Sequence, residues 1–356
     1  MDVAILGASG DCGREIASQL VASRLLAPTE RMQMVGRAEG ASARVLYGLA
    51  ADLADAHAEY IPEVDVALDP SEVVADLWVV ACGRTIEKNG PSDRNMLAES
   101  NGPIFAAYAD ALARYGQGSE IAIIVSNPVE LGVAIFAEAI GRHRVIGIGA
   151  FQDSLRFRRE IASDLGVRRQ RVSGFMLGEH GVNQVPLWSS VGVYGMARGD
   201  VAAAIRNLRR GTEAVPFDDM VRDGRDEMTA LIAGDDIAGA FRRLESLPPD
   251  LRVVLKPIVT HLSGAKTVMA TANVTIELLK TLLGGHEALI AAQVVTEPEE
   301  YYGLKGPLGV PIIVGPQGVL RVVETPVTSD ELQRLTAVSR TVAGHIDHWM
   351  AKLGKR

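Results

Sequence analysis

Only two cysteines, Cys12 and Cys82, occur in the 356 residues, and neither sits in a C-x-x-C or C-x-x-H spacing. Their number excludes a disulfide framework, and their spacing gives a zinc site nothing to rest on, so no metal is expected. No stretch reaches the roughly 18 uncharged apolar residues of a membrane span. The first apolar run, residues 2–7, is too short for the core of a secretory signal and has no basic segment before it. Basic blocks are also missing, and the formal net charge is −8, so nucleic acid is not expected as the main partner. The basic residues that close the chain read as a solvated tail. Together these absences predict a soluble cytoplasmic protein.

What is present is a hydrophobic content of 47% against 22% charged residues, enough for a sizeable core. The length allows two domains or one large one. Val3-Ala4-Ile5-Leu6 is a short apolar run of the kind found in buried parallel strands. Gly7-Ala8-Ser9-Gly10-Asp11-Cys12-Gly13 follows at once, and then apolar residues recur at helical spacing from Ile16. Strand, glycine turn and helix are the setting of a dinucleotide-binding fingerprint. The first glycine permits the tight turn, the second lets backbone approach a pyrophosphate, and the third lets helix and strand pack closely. The spacing is G-x-x-G-x-x-G rather than G-x-G-x-x-G, and glycine turns also serve plain strand–helix connections. Gly7, Ser9, Gly10, Asp11, Cys12 and Gly13 are the candidate cofactor residues here.

A second strand fits Met32-Gln33-Met34-Val35. An NAD site usually carries a carboxylate at the end of that strand, for the ribose hydroxyls. This chain has Gly36 and Arg37 there instead. Without the carboxylate a 2′-phosphate is not repelled, and an arginine can pair with it, so NADP is the preferred cofactor and NAD the alternative. The competing reading makes Arg37 merely exposed and Gly36 merely a turn. Further apolar runs at 64–68, 77–81, 120–125 and 145–148 alternate with helices expected over 94–115 and 129–141, which predicts a parallel, doubly wound sheet.

Ligands of such sheets sit at the carboxyl ends of the strands. The loop after the fourth run, residues 82–94, is polar, rich in glycine and proline, and contains Arg84, Lys88, Asn89 and Arg94. It has the composition of a closing lid, and of many ordinary surface loops. Ser126-Asn127-Pro128 ends the fifth strand. Asn127 is either a ligand contact or the N-cap of the next helix, and the bond before Pro128 is a candidate cis peptide. Downstream, Asp153-Ser154-Leu155-Arg156 and Gly178-Glu179-His180-Gly181 bring an acid, an arginine and a histidine. The arginine can grip a carboxylate with two parallel hydrogen bonds, the histidine can move a proton near neutral pH, and the aspartate can fix its tautomer.

These segments, in this order, resemble the lactate/malate dehydrogenase family over nearly the whole chain. The glycine turn, Asp93-Arg94 followed by Asn101, Ser126-Asn127-Pro128-Val129, the two segments around Asp153 and His180, and the late run from Gly309 to Gly318 with a final helix at 329–350 carry the likeness. The resemblance implies an α/β fold, with a Rossmann-type doubly wound parallel sheet over residues 1–149 followed by an α+β substrate and catalytic domain over residues 150–356. It implies His180 as the general acid/base, Asp153 as its partner, Arg156 as the grip on the substrate carboxylate, and Arg94 as the group that polarises the carbonyl when the loop closes. It places Asn127 by the substrate or the nicotinamide ribose, Thr267 near the substrate, and Cys82, Gly83, Asn101 and Ser126 beside the cofactor. The other six histidines read as structural or exposed. A homodimer or homotetramer acting on a 2-hydroxy or 2-keto acid, malate and oxaloacetate foremost, is the expectation.

Two departures stand out. The loop before Arg94 is about two residues longer than the family's usual length, so Arg84, Lys88 and Asn89 compete for the position that reads the substrate side chain. A cation there suits a dicarboxylate, and Asn89 suits something neutral, as in a lactate-type or non-standard enzyme. Residues 200–262 are also longer than expected and hold Arg206, Arg209, Arg210, Arg222, Arg225, Arg242 and Arg243. They read either as an insertion near the substrate or as solvated helix faces with a turn at Pro248-Pro249. Two other classes compete. An NAD-dependent glycosidase would need a cysteine–histidine metal site that the two cysteines do not offer. A non-catalytic dinucleotide-binding redox sensor would not need Asp153, Arg156 and His180 together.

Overall fold

A computed structural model describes residues 1–85 and 94–355. Strands β1 (Val3–Leu6), β2 (Arg31–Val35), β3 (Glu63–Ala67), β4 (Leu77–Val80), β5 (Ile121–Ile124) and β6 (Val145–Gly147) run parallel, in the order β3-β2-β1-β4-β5-β6. Helices α1 (Asp11–Ala22), α2 (Ser42–Ala56), α3 (Arg94–Tyr115) and α4 (Val129–Ile140) make the crossovers. Every residue of β1, β4 and β5 is buried, because helices cover both faces of the sheet. Full burial of each valine, leucine or isoleucine among them is worth about 1.5–3 kcal/mol. The strand order reverses between β1 and β4, and that reversal opens the crevice where such sheets bind ligands.

The second half is antiparallel. Helix α5 (Gly149–Asp164) leads into the hairpin β7 (Val172–Gly178) and β8 (Gln184–Val193). Helices α6 (Arg198–Arg209), α7 (Phe217–Ala233), α8 (Ile237–Glu245), α9 (Pro249–Leu262) and α10 (Val268–Leu283) follow, then β9 (Ala288–Thr296), β10 (Gly306–Gly315), β11 (Gly318–Val322) and α11 (Ser329–Lys352). β9 joins the parallel half at Gly147 opposite Gln293, and β10 meets β7 at Gly309 opposite Gly178. The described strands thus form one sheet. Among the described residues no helix is long and apolar enough to cross a membrane.

The long 200–262 region is helical. Phe217, Val221, Met228, Ala240, Leu244, Leu251 and Leu255 build a small core of their own between α7, α8 and α9. Pro249 opens α9, where its missing N–H costs nothing. Arg206, Arg210, Arg222, Arg225, Arg242 and Arg243 are exposed, as expected of solvated helix faces. Arg252, which no sequence pattern singles out, is fully buried.

Candidate active site

Asp153 and Arg156 lie three residues apart on α5 and therefore share a face. The turn between β7 and β8 brings His180 to them. Asp153 is 1% exposed, and its two oxygens divide their work. Oδ2 lies 2.7 Å from His180 Nδ1, and Oδ1 accepts from Arg156 Nη1 at 3.1 Å. One carboxylate therefore orients the imidazole and the guanidinium together, leaving His180 Nε2 to exchange a proton with a ligand. Burial pulls the Arg156 pKa below its usual value, and the Asp153 charge opposes that pull.

His180 packs directly on the start of α5. A Cβ added at Gly149 would stand 2.6 Å from His180 Cβ and Cγ. Gly149→Ala is accordingly expected to push the ring off its line with Asp153 and to lower kcat about 10²-fold, the effect of roughly an ångström of misplacement. Steady-state kinetics on the folded variant checks this, and a wild-type kcat would show that the close contact is dispensable.

Two further carboxylates stand behind His180. Glu130, in the first turn of α4, accepts the His180 backbone N–H at 2.8 Å on Oε1 and Arg94 Nη2 at 2.7 Å on Oε2. Glu179 lies 3.2 Å from the same Arg94 nitrogen, and Arg94 Nη1 donates to the His180 carbonyl at 2.5 Å. Glu130 and Glu179 are each 1% exposed, so Arg94 is shared between two buried carboxylates and offsets part of their charge. The sequence reading aims Arg94 at the substrate carbonyl. In the structure its guanidinium is held on the backbone side of His180, because those carboxylates outcompete solvent for it. Glu130 was missed in the sequence: an acid in a first helical turn already has a reason in the helix dipole.

The other expected substrate residues are scattered. Arg156 and Thr267, the residue before α10, line one cleft of about 310 Å³ together with Arg159, Glu160, Lys256 and Lys266. Asn127 is exposed at the end of β5, after which the Asn127–Pro128 peptide is cis. Pro128 rather than Asn127 occupies the N-cap of α4, and no side chain caps it, so the capping role is not realised. The Arg84 side chain is exposed, while its backbone N–H and C=O are clasped by Asn101 at 2.6 and 3.0 Å. Asn101 also donates to the Asn127 carbonyl at 2.7 Å, so it ties two strand ends together as a scaffold. Lys88 and Asn89 lie outside the described residues.

The glycine turn fits a dinucleotide. A Cβ at Gly7 would meet Cys82 Cα at 2.6 Å, and one at Gly13 would meet the Gly7 carbonyl at 2.3 Å. Gly10 is the N-cap of α1, and no side chain caps that helix, so its first N–H groups remain available to an anion. Asp11 would repel a phosphate there, but Lys266 at 2.7 Å and Arg14 at 2.9 Å pair with it and hold its pKa below the usual carboxylate range. Gly36 is buried at the end of β2, and Arg37 beyond it is exposed. Ser42 Oγ sits 2.9 Å from Ser9 Oγ and accepts the Arg37 backbone N–H at 3.2 Å. Ser42 was another omission, being remote from the glycine turn in sequence. Burial pushes the Cys12 thiol up to about 11 and Cys82 to about 12, so neither is a thiolate at neutral pH. Gly83 and Ser126 lie just beyond the ends of β4 and β5.

The family model for the lactate/malate dehydrogenase NAD binding domain matches residues 1–147. The L-lactate dehydrogenase of Deinococcus radiodurans is 30% identical over 271 residues, covering 76% of this chain and 77% of that one. The malate dehydrogenase of Sorangium cellulosum is 26% identical over 276 residues, covering 77% and 74%. In fold, the chain is similar to the Cryptosporidium parvum malate dehydrogenase, with a TM-score of 0.75 at 20% identity over 98% of this chain and 99% of that one. The chain is an enzyme and belongs to the lactate/malate dehydrogenase family.

Proposed function

We propose that the chain is an NAD(P)-dependent dehydrogenase that interconverts a 2-hydroxy acid and its 2-keto acid, with malate and oxaloacetate as the first candidates. The observation that carries this reading is the Asp153 carboxylate joined to both His180 and Arg156. Arg156 binds the acid's own carboxylate and so presents the neighbouring carbon to the histidine. When bound, the nicotinamide supplies or accepts the hydride at that carbon. Negative charge then builds on the carbonyl oxygen, and His180 Nε2–H donates a proton to it. Asp153 stabilises the imidazolium needed for that donation. We assign residues 1–149 to the cofactor and residues 150–356 to the substrate and catalysis, and expect a homodimer or homotetramer by analogy with the family. A lactate-type substrate is the alternative, favoured by the likeness to a protein named L-lactate dehydrogenase.

For the cofactor we infer NADP. What supports this reading is that Gly36 and Arg37, rather than a carboxylate, directly follow β2, that the Arg37 side chain is exposed and so open to pair with a 2′-phosphate, and that the Ser9 and Ser42 hydroxyls lie 2.9 Å apart nearby. Absorbance of the reduced cofactor, followed with NADH and NADPH against oxaloacetate and pyruvate, tests both parts. NADPH is expected to give the higher kcat/KM, and Arg37→Gln to lower the NADPH-to-NADH ratio about tenfold. A wild-type preference for NADH would remove the NADP reading.

A further inference from the structure

The cleft that holds Arg156 is lined by more cations than anions: Arg156, Arg159, Arg252, Lys256 and Lys266 surround Glu160. Glu160 is 3% exposed and organises this wall. Arg252 Nε lies 2.8 Å from its Oε2, Lys256 Nζ donates to both of its oxygens at 2.9 and 3.0 Å, and Arg159 reaches Oε1 at 3.2 Å. Arg252 also pairs with Asp164, which Arg210 joins from outside. Lys256 has one more partner, Glu245 at 2.9 Å. Arg159, Arg210, Arg252 and Lys256 thus face Glu160, Asp164 and Glu245, and the cluster carries one more positive than negative charge although each cation has a partner.

The two partners of Lys256 differ in kind. Glu160 is buried and fixes the ammonium from below. The Glu245 side chain is 61% exposed, and an exposed pair of that type is weak and easily exchanged. A carboxylate entering the cleft can take the place of Glu245 at little cost. Arg156 and Glu160 are four residues apart on α5, so the substrate grip and the group that anchors Lys256 are separated by about 6 Å along one helix face. A short acid with a carboxylate at each end can span that interval.

We propose that Lys256, on α9, is the specificity-determining cation of this site and reads a second carboxylate at the far end of the substrate side chain. The inference rests on the dehydrogenase reading above. It moves side-chain recognition from the loop before Arg94 to the helical region between residues 200 and 262, whose small core holds α9 in place.

The test compares kcat/KM for oxaloacetate, 2-ketoglutarate and 2-ketoadipate with kcat/KM for pyruvate, each pair measured on one preparation so that the folded fraction cancels. Wild type is expected to favour a diacid. Lys256→Gln should cut the ratio of the best diacid to pyruvate about 30-fold, mainly through KM, and Lys256→Arg should restore most of it. Glu245→Gln, which removes the competing carboxylate without touching buried groups, should lower KM for the diacid about threefold. An unchanged ratio in Lys256→Gln, or a wild type indifferent to the distal carboxylate while reducing pyruvate well, overturns this proposal alone. Failure of wild type to reduce any 2-keto acid overturns the dehydrogenase reading and this proposal with it.

Discussion

Replacing His180 with asparagine lowers kcat for 2-keto acid reduction by about 10²–10⁴-fold, the range lost when a general acid is removed. The asparagine amide can keep a hydrogen bond to Asp153, so the local packing survives while the ionisable nitrogen does not. Binding of the reduced cofactor, followed by its fluorescence, should stay close to wild type, because the glycine turn and the β2 end lie on the other half of the chain. The pairing of these two outcomes is what separates a catalytic histidine from a buried structural one. A variant that retains most of its turnover would show that the proton comes from elsewhere.

Glu160→Ala is expected to be the most destabilising single change in the substrate-side half. It leaves Arg252 fully buried with Asp164 as its remaining acidic partner, and removes the acceptor that Lys256 and Arg159 share. Breaking a buried ion pair from one side costs about 3–5 kcal/mol, since the stranded charge pays its desolvation without return. Urea denaturation of the variant measures this loss, and a change below about 1 kcal/mol would mean that Asp164 and backbone carbonyls suffice for Arg252. Glu160→Gln should fall between, because the amide oxygen still accepts while the charge is gone.

Much of the fold is legible in the sequence for a simple reason. Strands buried on both faces read as apolar runs, and β1, β4 and β5 coincide with the runs at Val3, Leu77 and Ile121. Helices α3 and α4 begin at Arg94 and Val129 as expected, because Gly90-Pro91 stands just before the first in sequence and Pro128 directly before the second. The residues around Asp153 and His180 were also legible, since acid, arginine and histidine in that setting have few other joint uses.

The rest of the site depends on distant partners. Arg252 looks like any helical arginine until Asp164, 88 residues earlier, and Glu160 are brought against it. Glu130 looks like a dipole-complementing acid until the His180 N–H, 50 residues later, arrives at 2.8 Å. Gly149 looks like a strand terminator, and only the approach of the His180 ring shows why a side chain is excluded there. The commitment of Arg94 to Glu130 and Glu179 follows from packing alone.

The central claim is direct hydride transfer between the cofactor and the carbon next to the carboxylate held by Arg156. The measurement that tests it is reduction of oxaloacetate or pyruvate with reduced cofactor carrying deuterium at C4 of the nicotinamide, with the product analysed by mass spectrometry and proton NMR. The account predicts deuterium on C2 of the 2-hydroxy acid when the label is on the transferred face, and none from solvent deuterium at that carbon. Product whose C2 hydrogen comes from solvent, or cofactor that binds but reduces no 2-keto acid, would contradict it.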